Sequence, residues 1–190
     1  MTALSKPSPA GEPDAAVAIR EARADDFPAI QEIYAFHVSH GLGRFEEAVV
    51  DLAEMTRRWR DIRERSLPYL VAEADGRILG YAYAGTFRPR SAYRYTVEDS
   101  IYVSPKAQRR RIGSRLLAAL IERCTALGYR QMVAVIGDSG NLPSINLHLQ
   151  QGFSQSALLG SVGYKFGRWV DLVIMQRPLG EGSTTLPVKG

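Results

Sequence analysis

The sequence of 190 residues predicts one α/β (α+β) domain, with a mixed, mostly antiparallel central sheet and helices on both faces. Three observations lead to this prediction. The length suits a single domain that buries a substantial core. Strand-like and helix-like stretches alternate along the chain, and a hairpin signal occurs beside strand–helix–strand crossovers. With 45% hydrophobic and 23% charged residues, the composition is that of an ordinary globular protein.

The predicted order of elements is β-α-α-β-β-β-α-β-α-β-β. The first strand lies in VAIREAR, and a helix follows it, with Asp25 or Asp26 as its N-cap and Pro28 in its first turn. A second, amphipathic helix follows, because apolar side chains recur at helical spacing at Leu52, Met55, Trp59 and Ile62. The next two strands flank Asp75-Gly76, a dipeptide typical of tight hairpins.

The second half of the chain alternates strands and helices. A strand in YTVEDSIYV precedes the helix IGSRLLAALIERCTALG, which Gly128 can end. The strand RQMVAVIG is almost entirely apolar, as expected when both of its faces are buried. A short helix with Pro143 in its first turn follows, and two strands around GFSQSALLGSVG and RWVDLVIMQRPL complete the domain.

The two ends of the chain differ in composition from the middle. Residues 1–16 are rich in Pro, Ala and Gly and predict a disordered arm; residues 180–190 predict a flexible tail. The folded domain is therefore expected over 17–179. The start has the pattern of neither a secretory signal nor a membrane span. Cys124 is the only cysteine, which excludes an intrachain disulfide and favours a cytoplasmic location.

One basic stretch, PKAQRRRIGSRLL, combines positive charge, a small residue and a helix start. The first-turn N–H groups of a helix and its dipole favour anions, arginines can bind phosphate in a bidentate manner, and Gly113 lets a ligand approach the backbone. The sequence has neither the P-loop pattern nor the Rossmann glycine pattern. On these residues alone, a phosphate site and a solvated basic turn both remain open.

The neighbouring motifs give this stretch a family context. YVSPKAQRRRIGSRLL, followed by NLPSINLHLQQGF, resembles the GNAT superfamily of acetyl-CoA-dependent N-acyltransferases, whose signature is Gln/Arg-x-x-Gly-x-Gly/Ala. The resemblance implies acetyl-CoA as co-substrate, with the diphosphate at the start of the main helix. The implied coenzyme contacts are Ile101, Tyr102, Val103, Gln108, Arg109, Arg110, Arg111, Ile112, Gly113, Ser114, Asn141, Ser144 and His148.

Longer stretches narrow the resemblance to one branch. LVAEADGRILGYAYAGTFRPRSAYRYTVEDSIYV, RQMVAVIGDSGN and GYKFGRWVDLVIMQRPL are similar to the phosphinothricin (glufosinate) N-acetyltransferases, whose relatives acetylate methionine sulfoximine and sulfone. The chain departs from the pattern twice. Arg111 stands where the signature has its first glycine, and Phe36-His37 stand where the branch has His-Tyr.

Acetyl transfer to an amine needs a base and a stabilised leaving thiolate. The resemblance assigns the base to Glu98, a carboxylate in mid-strand; an edge-facing carboxylate or a structural ion pair with Arg90 or Arg94 is the alternative. Asp99 points to the opposite face and is the weaker choice. His148 stands where many members of the superfamily have a tyrosine that is thought to protonate the sulfur. Histidine can serve there as an acid or as a second proton acceptor, and a structural role is the alternative. The backbone N–H of Val103 is the expected oxyanion donor.

Further residues are expected to bind the acceptor, an amino acid with a carboxylate and a second polar group. They are Phe36, Tyr83, Arg90, Tyr93, Arg94, Glu98, Lys165 and Phe166. An exposed surface turn is the alternative for the loop RPRSAYR. Trp59 and Trp169 are expected to serve packing.

Three alternative functions remain open at this stage. The chain could acetylate a different amine, such as another amino acid or a peptide N-terminus, or could bind acyl-CoA without catalysis. Arg109 to Arg111 could instead contact nucleic acid, although interleaved aromatic residues are missing.

The resemblance implies a homodimer with the C-terminal strands near the interface. No metal site is expected, because His37, His40 and His148 have no suitably spaced partners.

Overall fold

The computed structural model describes residues 16–108 and 110–187. Its elements are β1 (Ala18–Glu21), α1 (Phe27–His40), α2 (Leu52–Glu64), β2 (Tyr69–Ala74), β3 (Arg77–Thr86), β4 (Thr96–Val103), α3 (Ile112–Ala126), β5 (Gln131–Gly137), α4 (Leu142–Gln150), β6 (Ser154–Lys165) and β7 (Arg168–Pro178). This order confirms the predicted one. The predicted arm, residues 1–16, lies almost wholly outside the described residues.

The strands form one seven-stranded sheet in the order β1-β2-β3-β4-β5-β7-β6. β4 and β5 are parallel, and every other neighbouring pair is antiparallel. The sheet is therefore mixed and mostly antiparallel, as the sequence predicts. Asp75 and Gly76 both have positive φ, which is the geometry of the tight β2–β3 hairpin turn.

Two apolar clusters cover the two faces of the sheet. On one face, the α3 residues Leu116, Leu117 and Leu120 pack on the strands, together with Met132 and Met175. On the other face, α1 and α2 contribute Phe27, Ile30, Trp59 and others to a cluster rich in tyrosine. Helices on both faces are thus confirmed, and each face has its own core.

The helix ends confirm the predicted role of Gly128 but not the side-chain cap predicted for α1. The side chain of Asp51 caps α2 by accepting from the N–H of Glu54 at 2.8 Å, and Gly128, with φ +84°, lies just beyond α3. Asp26 precedes α1 but makes no cap hydrogen bond to that helix. Its carboxylate instead accepts from Arg20 at 2.7 and 2.8 Å, so a charged partner replaces the expected cap.

The described part of the C-terminal segment is hydrogen-bonded to the domain. Arg130 donates to the carbonyl oxygens of Gly182 and Thr185, at 2.8 and 2.9 Å. No helix within the described residues is both long and apolar enough to cross a membrane.

Candidate active site

β4 and β5 are paired along only part of their length. Their register begins with Thr96 opposite Gln131 and ends with Asp99 opposite Ala134. β4 continues to Val103 and β5 to Gly137, and no ladder pair joins these remaining residues, all of which the structure describes. The two strands therefore separate at their C-terminal ends. Ligands of sheets with parallel strands commonly bind at that end.

The helix that follows β4 begins without a side-chain cap. Its N-cap residue, Arg111, has φ +56° and ψ +20°, which is the left-handed conformation. The first N–H that bonds back along the helix is that of Arg115, to the carbonyl of Arg111. The N–H groups of Ile112, Gly113 and Ser114 thus have no partner in the helix itself, and they suit a diphosphate.

Other predicted coenzyme contacts surround this helix start. The side chains of Gln108 and Arg111 are exposed, Arg110 is half-buried, and Arg109 lies outside the described residues. The left-handed φ at Arg111 explains why the family signature has glycine there, because glycine adopts this conformation without a steric penalty. The backbone donors are retained with arginine.

Helix α4 packs closely against the same turn. A Cβ on Gly113 would lie 3.2 Å from Cδ2 of Leu147, so glycine permits the close approach. The hydroxyl of Ser114 accepts from the side-chain amide of Gln151 at 3.0 Å. At the start of α4, the side-chain oxygen of Asn141 accepts from the N–H of Ser144 at 3.4 Å. Sequence reasoning placed Asn141 and Ser144 here but missed Gln151.

Glu98 is half-buried and shares a face of β4 with Ser100 and Tyr102, toward α1 and α2. Neither Arg90 nor Arg94 forms an ion pair with it within the described part of the chain. Burial raises the pKa of Glu98, the charge of Asp99 raises it further, and Arg88 and Arg44 oppose the shift. A raised pKa makes the Glu98 carboxylate a stronger base.

His148 lies on the opposite face from Glu98. It is 3% exposed, and both ring nitrogens are occupied: Nδ1 is 2.8 Å from the carbonyl oxygen of Ser144, and Nε2 is 3.0 Å from Oδ2 of Asp99. Burial lowers the pKa of His148, but the hydrogen bond and charge of Asp99 and the Ser144 carbonyl outweigh it, so the pKa is raised. The structure does not bring Glu98 and His148 onto one face.

A second histidine contacts the end of β4. Nε2 of His37 lies 2.9 Å from the carbonyl oxygen of Val103. Burial lowers the pKa of His37 against the effect of this carbonyl. The neutral imidazole must therefore carry its proton on Nε2, because a carbonyl oxygen only accepts. This hydrogen bond holds Val103 in place, and the N–H of Val103 is the expected oxyanion donor.

The predicted acceptor loop lies at the surface. Arg90 is exposed, Tyr93 makes an edge-to-face contact with Phe87, and Arg94 donates to the carbonyl of Ser91 at 3.1 Å. On α1, the ring of Phe36 stacks on that of His40 with centroids 4.8 Å apart. Arg88, which the sequence analysis did not select, is the arginine of this loop whose charge acts on Glu98.

Lys165 has three partners inside the protein. Its ammonium donates to the carbonyl oxygens of Val38, Gly41 and Arg44 at 2.8, 3.0 and 2.8 Å. Burial lowers the pKa of Lys165, against the charges of Glu46 and Glu47. The side chain thus joins the β6–β7 hairpin to the loop after α1.

The tip of that hairpin is exposed. Phe166 has a positive φ in the turn and its side chain faces solvent. Trp169 is 66% exposed, so the prediction that it packs inside the domain is wrong. Trp59 is buried, as predicted. A strand register read from sequence cannot tell which face of an edge hairpin the helices leave uncovered.

Sequence reasoning missed Arg44, which lies over the tyrosine-rich face. Its Nη1 donates to the hydroxyl of Tyr102 at 2.7 Å and to that of Tyr83 at 3.5 Å, and its Nε to Glu46 at 2.6 Å. The side chains that meet here come from three separate parts of the chain. No local pattern could have revealed their contact.

The site thus combines the parts that group transfer from a phosphate-bearing coenzyme to an amine needs. The uncapped helix start offers donors for a diphosphate, and a half-buried carboxylate on the nearby strand can act as a base. The family described as "Acetyltransferase (GNAT) family" matches residues 17–153. The chain belongs to the GNAT family, and it uses acetyl-CoA as its co-substrate.

Named relatives lie within one part of this family. The chain is 54% identical over 172 residues to the phosphinothricin N-acetyltransferase of Alcaligenes faecalis, covering 90% of this chain and 87% of the relative. It is 46% identical over 160 residues to the L-methionine sulfoximine/L-methionine sulfone acetyltransferase of Pseudomonas aeruginosa, covering 83% and 92%.

A solved structure shows the same fold. The phosphinothricin acetyltransferase of Sinorhizobium meliloti, in complex with AcCoA, superimposes with a TM-score of 0.89 at 47% identity, covering 92% of this chain and 94% of that chain. The resemblance read from the motifs is confirmed, both for the superfamily and for the branch.

Proposed function

We propose that this enzyme acetylates the α-amino group of small amino-acid-like acceptors of the phosphinothricin, methionine sulfoximine or methionine sulfone type. The activities for which the relatives from Alcaligenes faecalis and Pseudomonas aeruginosa are named support this acceptor class. The observation that carries the proposal is the half-buried Glu98 on β4, next to the point where β4 leaves β5.

Glu98 acts as the base in this proposal. An α-amino group with an ordinary pKa of about 7.7–8.0 is mostly protonated at neutral pH and must lose a proton before it attacks. Glu98 takes that proton, directly or through one water, and the neutral amine then attacks the thioester carbonyl. As the C–N bond forms and the C–S bond breaks, the nitrogen loses a second proton, and the departing thiolate gains one to leave as the thiol. The raised pKa of its carboxyl group brings the base closer to the operating pH.

The coenzyme-binding residues are those of the α3 start. The N–H groups of Ile112, Gly113 and Ser114 hold the diphosphate, with the arginines of the preceding turn adding charge. Acetyl-CoA supplies the activated acetyl group when it is bound. His37 positions the end of β4, whose Val103 N–H would stabilise the developing oxyanion.

His148 has a different environment from a free general acid. Its contacts with Asp99 and Ser144 favour a positioning role, in which the imidazolium ties α4 to β4 beside the cleft. Protonation of the leaving thiolate by His148 remains a prediction from the family motif.

We also propose a homodimer formed through β6 and β7, in a reducing cytoplasm. These strands and the turn between them expose a set of large apolar side chains, namely Leu158, Leu159, Val162, Tyr164, Phe166 and Trp169. Exposed apolar surface of this extent is typical of protein interfaces.

A thiol-release assay with acetyl-CoA tests the acceptor class. The panel contains phosphinothricin, methionine sulfone, methionine sulfoximine, the common amino acids and a short peptide. Saturable turnover with the first three is expected. Turnover with the peptide alone would show a different acceptor, and coenzyme binding without any turnover would show a non-catalytic acyl-CoA-binding protein.

A further inference from the structure

Arg44 lies in a group of hydrogen-bond donors for which the described part of the protein provides few acceptors. Its guanidinium bonds to Glu46 through Nε and to the two tyrosine hydroxyls, of Tyr83 and Tyr102, through Nη1, whereas Nη2 has no hydrogen bond to any described residue. Both hydroxyl oxygens accept from the cation. Their own protons have no acceptor within the described part of the chain.

Burial makes these missing acceptors significant. Tyr102 is 9% exposed, and the neighbouring Tyr81, whose ring stacks on it at 4.8 Å, has a fully buried hydroxyl without a partner among the described residues. Buried donors are normally satisfied, because an unmet donor is destabilising. The hydroxyl protons of Tyr83 and Tyr102, which lie beside the Arg44 cation, therefore indicate an anionic ligand as the missing acceptor.

Arg44 shares its carboxylate partner, Glu46, with a second arginine, Arg58, which also pairs with Glu54 at 2.7 Å. Glu46 also accepts from Arg58 at 2.7 Å and from the hydroxyl of Tyr34. One carboxylate is therefore shared by two guanidinium groups. The side chain of Arg44 is 26% exposed, so a small anion can reach it.

A hydrogen bond to its carbonyl group and the packing of the next residue hold the backbone of Arg44 in place. Its carbonyl accepts from the buried ammonium of Lys165 at 2.8 Å. The ring of the next residue, Phe45, fills the space that a side chain on Gly163 would occupy, since a Cβ there would lie 2.6 Å from the ring. A guanidinium held this way loses little conformational freedom when it binds a ligand.

The same sheet face carries the proposed base. In the β3–β4 register Tyr83 is opposite Ser100, which lies between Glu98 and Tyr102 on that face. The charge of Arg44 acts on Glu98. In an α-amino acid the amine and the carboxylate are bonded to the same carbon, so a carboxylate site for this acceptor must lie on the same face, close to Glu98.

We propose that Arg44, with the hydroxyls of Tyr83 and Tyr102, binds the α-carboxylate of the acceptor amino acid. This inference rests on the proposed function and assigns its main determinant of acceptor specificity. The ammonium is directed to Glu98 and the carboxylate to Arg44, which places the amine at the cleft. Amines that lack the carboxylate leave the donors of this site unmet.

The experiment compares three acceptors: methionine sulfone, its carboxamide and norleucine. In the carboxamide an uncharged amide replaces the carboxylate, and norleucine has no sulfone. Arg44→Met should lower kcat/KM for methionine sulfone about 30-fold, mainly through KM, since a hydrogen bond to a charged group contributes about 1.5–3 kcal/mol. The carboxamide should change less than about 3-fold, within the range of a lost neutral contact. For methionine sulfone, the loss of kcat/KM in Arg44→Lys and in Tyr83→Phe should lie between about 3-fold and about 30-fold.

Arg58→Met is the matched control, because it removes a guanidinium from the same Glu46 without touching Tyr83 or Tyr102. It should leave the ratio of acid to carboxamide unchanged. An equal loss for both acceptors in Arg44→Met would overturn the inference and indicate a purely structural arginine. If Arg44→Met instead lost the preference in kcat/KM for methionine sulfone over norleucine, Arg44 would recognise the sulfone and the inference would also be overturned. Wild-type enzyme inactive on all three acceptors would contradict the proposed function itself.

Discussion

Asp99 and His148 form an ion pair inside the core, on the face of β4 that points away from Glu98. Oδ2 of Asp99 lies 3.0 Å from Nε2 of His148, and the two side chains are 3% and 4% exposed, respectively. Two adjacent carboxylates of one strand thus have different environments. Asp99 has an ion-pair partner, whereas Glu98 forms no ion pair with any residue that the structure describes, which leaves Glu98 available for proton transfer.

The pair makes stability depend on pH. The folded pKa of His148 is raised above its ordinary value of 6.5, so its stabilisation is complete below pH 6.5 and declines as the pH rises through the folded pKa. His148→Gln should lower the free energy of unfolding by about 3–5 kcal/mol at pH 6, because it leaves Asp99 buried without its partner. The loss should be smaller at pH 9, as measured by urea denaturation. A loss that does not shrink with pH would show that packing alone explains it.

Arg111 adopts a strained backbone conformation at the start of α3. A non-glycine residue in the left-handed region costs about 1–2 kcal/mol, so Arg111→Gly should raise the free energy of unfolding by about 1 kcal/mol in denaturant titrations. Arg111→Ala keeps the Cβ and is the matched control. It should not stabilise the protein, and equal stabilisation by both variants would refute the strain explanation.

Lys165 holds the loop after α1 against the β6–β7 hairpin. Lys165→Met should lower the free energy of unfolding by about 2–3 kcal/mol, because three carbonyl groups lose their shared donor. Lys106→Met, at an exposed position, is the control and should change stability by less than about 0.5 kcal/mol. If the Lys165 variant keeps full stability but loses acceptor affinity, the original prediction of acceptor contact is the better one.

Trp169 tests the proposed dimer. Trp169→Glu places a charge within the exposed apolar surface of β6 and β7, and it should shift the protein from dimer to monomer in sedimentation velocity. Leu127→Glu changes an exposed apolar residue at the far end of α3 and should leave the dimer intact. A monomeric wild-type protein would exclude the proposal at once.

Local signals predicted most of the fold. Asp75-Gly76 fixed the β2–β3 hairpin and Gly128 the end of α3, because each depends on the conformation of one or two residues. Asp26 was predicted as a cap and instead pairs with Arg20. The competing partner comes from the preceding strand, and no local pattern reveals it.

The candidate site was predictable where a motif spans consecutive residues and not elsewhere. The helix start from Gln108 to Ser114 followed from its glycine and arginines. Arg44 contacts side chains 39 and 58 residues further along the chain, so only the fold reveals its role. Strand alternation correctly separated Glu98 from Asp99, but it could not show that His148 would lie on the side of Asp99.

The central claim is that Glu98 removes the proton from the acceptor amine. Its direct test is the pH dependence of kcat/KM for Glu98→Gln with methionine sulfone, with Glu122→Gln, at an exposed position on α3, as control. We expect a loss of about 100-fold or more at pH 7 that narrows strongly at pH 9, where the amine is already deprotonated. An equal loss at both pH values would contradict it, since Glu98 would then serve only the structure.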